Sequence, residues 1–206
     1  QTYRNPNDMA AVVVASKSKA LAYEFNRTFI NGSVAVDPLE FDGIDILCTS
    51  GQTIESDANG TALTTNLLNR LIDQVKPGPP HALIMSKRSR RQVQALAYAS
   101  GSPLFIGQGE FGRRIEMYAG IPIIVDENIS DAVTLGSEAA STSIFAVRFG
   151  LDGVFGAANG GVQVEDVGSL ETKDASRFRV KMYVTLCLGG TLGLAQLTGI
   201  DASVAA

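Results

Sequence analysis

Few side chains in this chain could carry catalysis. His81 is the single histidine, and Cys48 and Cys187 are the two cysteines. Structural zinc sites take four cysteine or histidine ligands, so this set is too small for one. A Ser-His-Asp triad could use only His81, which follows two prolines in a predicted loop. Paired acids for hydrolysis stay an alternative, but no catalytic motif holds the scattered carboxylates of Asp8, Asp42, Asp45, Asp126, Glu127 and Asp131. We therefore predict no catalytic, cofactor-binding or metal-binding residue.

Glycines cluster between residues 150 and 161, where a phosphate-binding loop would be one hypothesis. A dinucleotide-binding fingerprint needs a strand, a glycine loop and then a helix. Here the glycines lead into Val162 and Val164, which alternate with polar residues as in a strand. The segment therefore predicts a turn or a hairpin.

Four cations lie within five residues at the start of a predicted helix: Lys87, Arg88, Arg90 and Arg91. Direct contact with nucleic acid would use such a cluster. However, no aromatic side chains are interleaved with it, and the formal net charge of the chain is −4. That charge provides no global attraction for nucleic acid. We favour a solvated or subunit-facing helix surface, with nucleic-acid contact as the alternative.

A second charged pattern lies near the end of the chain. Arg177, Arg179 and Lys181 point to one side of a predicted strand, and the apolar residues between them point to the other, buried side. An acidic segment with Glu165 and Asp166 comes before them. Like charges on one strand face repel unless opposite charges answer them. The face is therefore either solvated or paired across copies of the chain, and both clusters are candidate subunit-interface residues.

The predicted elements mix helices and strands without regular alternation, which indicates an α+β fold. At 206 residues and 45% hydrophobic content, the chain suits one large domain or two small ones. Helices are predicted over 9–30, 61–75 and 86–99, and strands over 82–85, 121–125, 143–149 and 176–188. Residues 101–120 and 130–143 are predicted to be loops. Both cysteines lie in apolar runs, which predicts buried free thiols and favours a reducing compartment. The apolar run 9–15 is too short to span a membrane.

The order of these segments resembles the major capsid proteins of tailed bacteriophages with the Hong Kong 97-type fold. The clearest stretch runs from His81 to Leu96 and looks like the strand-then-helix segment of the family's axial domain. Gly120–Val125 is similar to a later family strand, and Asn31-Gly32 and Phe41–Ile44 resemble the end of the spine helix and the turn after it. The resemblance covers roughly residues 8–200, and its specificity lies in the order of the motifs.

This resemblance implies an organisation into three segments. Residues 1–60 would hold the spine helix and the start of a peripheral domain, 61–155 an axial domain, and 156–206 the return strands of the peripheral domain. The family's N-terminal arm and long hairpin would precede residue 1 or be absent from this member. Some members cross-link their shells through a lysine on that hairpin and an asparagine and a glutamate in the peripheral domain. Lys181 and Leu188 fall at the latter two positions. We therefore expect no autocatalytic cross-linking through this segment.

The resemblance also implies a structural function without catalysis. The partner would be the chain itself, assembled as pentamers and hexamers into an icosahedral shell. Double-stranded phage DNA would be enclosed without sequence-specific contact, and scaffolding or decoration proteins are further candidate partners. The location would be the virion, assembled in the host bacterial cytoplasm, with no membrane contact. Two alternatives are an encapsulin-type protein compartment and an unrelated α+β enzyme or ligand-binding domain.

Overall fold

A mixed β-sheet forms the centre of the chain in the computed structural model, which describes residues 9–99, 101, 105–108, 114–169, 171–172 and 176–201. Its strands in the described residues are β1 Thr53–Glu55, β2 Ala82–Met85, β3 Phe105–Gln108, β4 Arg114–Tyr118, β5 Ile121–Val125, β6 Val133–Leu135, β7 Glu138–Val147 and β10 Leu194–Asp201. Seven of them follow one another in the order β1-β10-β7-β2-β5-β4-β3, and β6 pairs with β7.

Within the described ranges, four α-helices accompany the sheet: α1 Met9–Asn31, α2 Ile44–Leu47, α3 Thr65–Gln74 and α4 Lys87–Ala99. The α4 helix begins as predicted, because the Oγ atom of Ser86 accepts a hydrogen bond from the backbone N–H of Ser89 at 3.2 Å. The α3 helix begins later than predicted. Thr61 forms an isolated parallel bridge with Ile200, and Thr64 caps the helix by accepting from the N–H of Leu67.

Helices and loops cover both faces of the central strands, so β2 is buried at all four positions. Leu83 and Met85 point to one face and pack in a core with α3 and α4. Ile84 points to the opposite face, where a second core includes Ile30 of α1 and Ile44 of α2. We call the main sheet together with α3 and α4 the sheet body.

Strands β8 (Val154–Ser169) and β9 (Ser176–Leu188) form a long two-stranded antiparallel ribbon outside the main sheet. The base of the ribbon joins the second core through Val154, Leu186 and Leu188. Helix α1 packs against β9. We call α1 and this ribbon the helix–ribbon unit. The fold is therefore α+β, as the sequence predicts.

Two predicted loops contain strands instead. Residues 105–108 and 114–118 form β3 and β4, which pair with each other and extend the sheet beyond β5. Residues 133–135 and 138–147 form β6 and β7, joined by a turn in which Gly136 has a φ of +60°. Backbone pairing with neighbouring strands overrides the weak local strand preference of these glycine-rich and small polar segments. Gly109 and Gly112 of the first predicted loop lie outside the described residues.

Strand β10 returns from the ribbon to the main sheet, where it pairs in parallel with β1 and antiparallel with β7. Segment 156–206 thus contributes both to the ribbon and to the sheet that 61–155 largely builds. The three-segment division into spine, axial and peripheral parts stays a prediction.

Candidate subunit interface

The predicted charged face of the ribbon finds its counter-charges within the same chain. Glu165 lies directly opposite Arg179 in the strand register. Its carboxylate pairs with Lys181 and lies 4.0 Å from the guanidinium of Arg179. The hydrogen bond from Lys181 lowers the pKa of Glu165 below its usual value. Two of the three cations are therefore already paired across the ribbon, without a second copy.

The remaining charged candidates of the ribbon differ from that pair. Asp166 lies opposite Phe178 in the strand register, so it belongs to the other face of the ribbon. It accepts a hydrogen bond from the N–H of Gly168 at 2.9 Å, at an irregularity in the register. Arg177 is exposed, and among the described residues no carboxylate pairs with it. Arg177 therefore stays a candidate for contact with another copy, while Asp166 has a local structural role.

The opposite face of the ribbon is less covered than predicted. Phe178 is exposed, and Val180 and Met182 are half-buried. On the facing strand, Val162 and Val164 are also exposed. A two-stranded ribbon has no second layer of its own, and α1 lies over its inner part, where Met182 meets the helix. The prediction of a buried strand face is therefore wrong for the outer part of the ribbon.

The cations of α4 are largely solvated. Lys87 pairs with Glu127, and the Nε atom of Arg88 lies 3.6 Å from a carboxylate oxygen of Asp131. The hydrogen bond from Lys87 lowers the pKa of Glu127. Exposed pairs of this kind add little stability. Arg91 is exposed and Arg90 is half-buried.

These acidic partners could have been found from topology. β2 and β5 are parallel neighbours, so the loop after β5 meets the start of α4 after β2. Glu127 and Asp131 lie in that loop. Two of the four cations thus form ion pairs with carboxylates of the same chain. This favours a solvated or subunit-facing helix surface over a nucleic-acid contact.

His81, Cys48 and Cys187 are the side chains considered for catalysis or metal binding. The Nδ1 atom of His81 accepts a hydrogen bond from the N–H of Phe149 at 3.3 Å. Cys48 and Cys187 are free thiols and half-buried, less covered than predicted. Burial raises the pKa of Cys48, which makes it a poor nucleophile.

In the described part of the chain, no group of three or more histidine, cysteine or carboxylate side chains is placed to hold a metal ion. Among the same residues, no helix has the length and apolar content needed to cross a membrane.

Sequence reasoning missed a surface on the loop between α1 and α2, residues 32–43. Val36 is 86% exposed and Leu39 is 95% exposed, and Val34 beside them is also exposed. The available signal was the run Ser33-Val-Ala-Val, which places apolar residues in a segment full of turn signals. Isolated exposed apolar residues are ordinary, but grouped ones indicate an interaction surface.

Helix α1 is a second exposed surface. From residue 11 to residue 27 no side chain of the helix is buried. The half-covered positions Val14, Ser18, Leu21 and Phe25 form one stripe, and Leu21 and Phe25 share a groove with Met182 and Val184 of β9. Val12, Val13 and Tyr23 are exposed elsewhere on the helix. Helices of this kind gain most of their stability from packing, so its outer faces are suited to a partner.

Solved structures with a similar fold include an encapsulin and two GTA capsids. The encapsulin SrpI of Synechococcus elongatus PCC 7942 aligns with a TM-score of 0.83 at 19% identity, covering 100% of this chain and 70% of that one. The capsid of an empty GTA particle aligns with a TM-score of 0.68 at 15% identity, covering 96% of this chain and 68% of the other. The native GTA capsid gives 0.68 at 14% identity. These likenesses confirm the predicted Hong Kong 97-type fold.

Sequence comparison gives the family itself. No curated protein matches the chain in sequence. The family model for the phage capsid family matches residues 5–192, which is nearly the whole chain. The chain therefore belongs to the phage capsid family and is a capsid-type shell protein.

Proposed function

We propose that this chain is a major capsid protein that assembles with copies of itself, as pentamers and hexamers, into an icosahedral shell around phage DNA. The family match over residues 5–192 is the observation that carries the proposal. The shell would form in the host bacterial cytoplasm and persist as the virion wall. The chain would act structurally, with no catalytic step.

Exposed surfaces of the helix–ribbon unit and of the α1–α2 loop support this proposal. A closed shell needs many modest contacts per subunit, because symmetry makes each contact support the others. The outer faces of α1, the apolar face of the ribbon and the α1–α2 loop all present apolar side chains to solvent. Their burial between copies would supply the driving force, at about 25 cal/mol for each Å² of apolar area.

The formal net charge of −4 supports enclosure of DNA without tight binding. A wall with this charge would not hold the DNA backbone by attraction, since sequence-independent binding depends on lysine and arginine contacts to phosphates. Two of the four α4 cations are also engaged by carboxylates. Genome charge would then be neutralised by small counterions.

An encapsulin-type compartment with protein cargo is the second candidate function. The observation in its favour is the alignment with SrpI, whose TM-score of 0.83 exceeds the 0.68 of the two GTA capsids. Both candidates share self-assembly and differ in the content of the shell.

Electron microscopy and light scattering of the purified chain at high concentration test the assembly. We expect rings of five and six subunits, sheets or closed shells. A chain that stays monomeric over the whole concentration range would overturn the proposal.

Analysis of the contents separates the two candidates. Particles purified from the native host would be treated with nuclease, opened and assayed for protected DNA and for co-purified protein. Protected double-stranded DNA supports the phage capsid. Particles with one abundant foreign protein and no protected DNA would support the compartment instead.

A further inference from the structure

Hydrogen bonds and close packing close the base of the α1–α2 loop, residues 32–43. The N–H of Gly43 donates to the carbonyl of Gly32 at 2.9 Å and closes the loop at its base. A Cβ atom on either glycine would overlap backbone oxygen atoms, which shows how tightly this base is packed. The loop that carries Val36 and Leu39 is therefore joined closely to the end of α1.

Acidic side chains of the loop fold back onto their own surroundings. One Asp42 carboxylate oxygen accepts from the N–H of Val34 at 2.9 Å, and one Asp37 oxygen accepts from the N–H of Leu39 at 2.9 Å. Glu40 pairs with Arg27 of α1. The charges of the loop are thus engaged internally, and what it presents outward is apolar.

A groove of about 500 Å³ lies directly beside Leu39. Leu39 stands on its rim, and a second, smaller groove against α1 begins on the other side of the same residue. The walls of the larger groove come from the inner part of the ribbon and are mostly apolar: Ala157, Ala158, Asn159, Met182, Tyr183, Val184 and Thr185. A projecting apolar side chain and an apolar recess are therefore immediate neighbours on one surface.

This juxtaposition is what a two-fold interface requires. Two copies related by a two-fold axis meet through the same patch, so that patch must carry both the projecting and the receiving part. A head-to-tail contact has no such requirement, since its two parts can lie on separate faces. We propose that two copies of this chain pack together about a two-fold axis near Leu39, each inserting its Leu39 into the ribbon groove of the other. This inference rests on the proposed self-assembly and adds the surface that joins copies in pairs.

A single cysteine introduced near the axis tests the geometry directly, because a two-fold contact brings a residue next to its own counterpart. The Leu39→Cys chain would be assembled, oxidised mildly and digested, and intermolecular disulfides would be identified by mass spectrometry. We expect a disulfide that joins position 39 of one copy to position 39 of another. Leu151→Cys is the matched control, since Leu151 is 81% exposed but lies on the turn between β7 and β8, outside the patch.

The two-fold contact predicts that the disulfide yield of Leu39→Cys, counted between equivalent positions, exceeds that of Leu151→Cys by at least about tenfold. Equal yields for the two variants would overturn the inference. Linkage of the introduced thiol at position 39 mainly to Cys48 of another copy would also overturn it, because Cys48 lies outside the ribbon groove.

The charge variant Leu39→Asp gives an independent readout. An aspartate in the apolar groove of the partner should raise the concentration needed for association by at least about tenfold, while Leu151→Asp should leave it unchanged. If Leu39→Asp assembles like the unmodified chain, the proposed axis is wrong although self-assembly stands. If the unmodified chain itself fails to associate, both proposals fail.

Discussion

The sheet body and the helix–ribbon unit cover their apolar residues to very different extents. In the sheet body, β2 is buried at every position, with a core on each face. In the helix–ribbon unit, α1 has no buried side chain from residue 11 to 27, and valines of the outer ribbon are exposed. The chain thus covers the apolar residues of one region by itself, and the proposed contacts between copies would cover those of the other.

The largest expected difference in unfolding free energy is between a leucine-to-alanine change in the sheet body and the same change in the α1–α2 loop. Leu83→Ala removes a fully buried side chain from the centre of β2 and should cost about 2–5 kcal/mol of unfolding free energy. Leu39→Ala removes an exposed one and should change it by less than about 0.5 kcal/mol. Denaturant unfolding of the dispersed subunit measures both. Equal losses for the two variants would contradict the division.

A hydrogen bond that ties α2 to the sheet gives the next effect. The Nε2 atom of Gln196, a buried residue of β10, donates to a carboxylate oxygen of Asp45 in α2 at 2.6 Å. Asp45→Ala should cost about 1–3 kcal/mol, because the buried amide loses its acceptor. Asp45→Asn is the control, since it keeps an acceptor oxygen and should cost clearly less. The same unfolding assay would count against this link if both variants behaved alike.

Capping of α3 in the sheet body should give a smaller effect. Thr64→Ala removes the oxygen that accepts from the N–H of Leu67 and should cost about 1 kcal/mol. Thr65→Ala, one residue further along, removes a hydroxyl that does not cap the helix and should be close to neutral. A thermal melt of each variant makes the comparison. A larger loss for Thr65→Ala would place the helix start elsewhere.

The smallest effect concerns pH and the ribbon. The pKa of Glu165 is lowered from its usual 4.5, so its ion pair with Lys181 stabilises the ribbon above pH 4.5 and is lost as pH falls through the lowered pKa. Hydrogen-exchange protection factors of β8 and β9, corrected for intrinsic rates, should therefore drop slightly in acid. Glu165→Gln should abolish this acid-dependent part, and Glu55→Gln in β1 should keep it. A ribbon response that survives Glu165→Gln would assign it to another group.

Elements with strong local signals were predicted correctly from the sequence. The apolar run Ala82–Met85 has the length of a buried strand, and Ser86 supplies the cap that starts α4. By contrast, β3, β4 and β6 consist of segments whose local preferences favour loops. Their strand structure depends on pairing with β5 and β7, which cannot be deduced from the local preferences of the residues themselves.

For the candidate site, too, features with a local sequence signal were predicted, and features that depend on pairing between distant segments were not. The alternation of residues 177–182 correctly indicated a charged strand face. That Glu165 answers it from the facing strand depends on register irregularities between Asn159 and Gln163 and between Asp166 and Gly168, where glycines adopt positive φ. The exposure of Leu39 could not be predicted either, because the sequence does not show whether an apolar residue is covered by its own chain or left exposed.

Hydrogen exchange of the dispersed subunit and of the assembled shell, measured side by side, tests the central claim most directly. Backbone amides of β2, β7 and β10 should be well protected in both states, since the chain itself buries them. Amides of α1 between residues 11 and 27 and of the ribbon should gain strong protection on assembly. Equal protection of the helix–ribbon unit in the two states would contradict the claim that contacts between copies complete it.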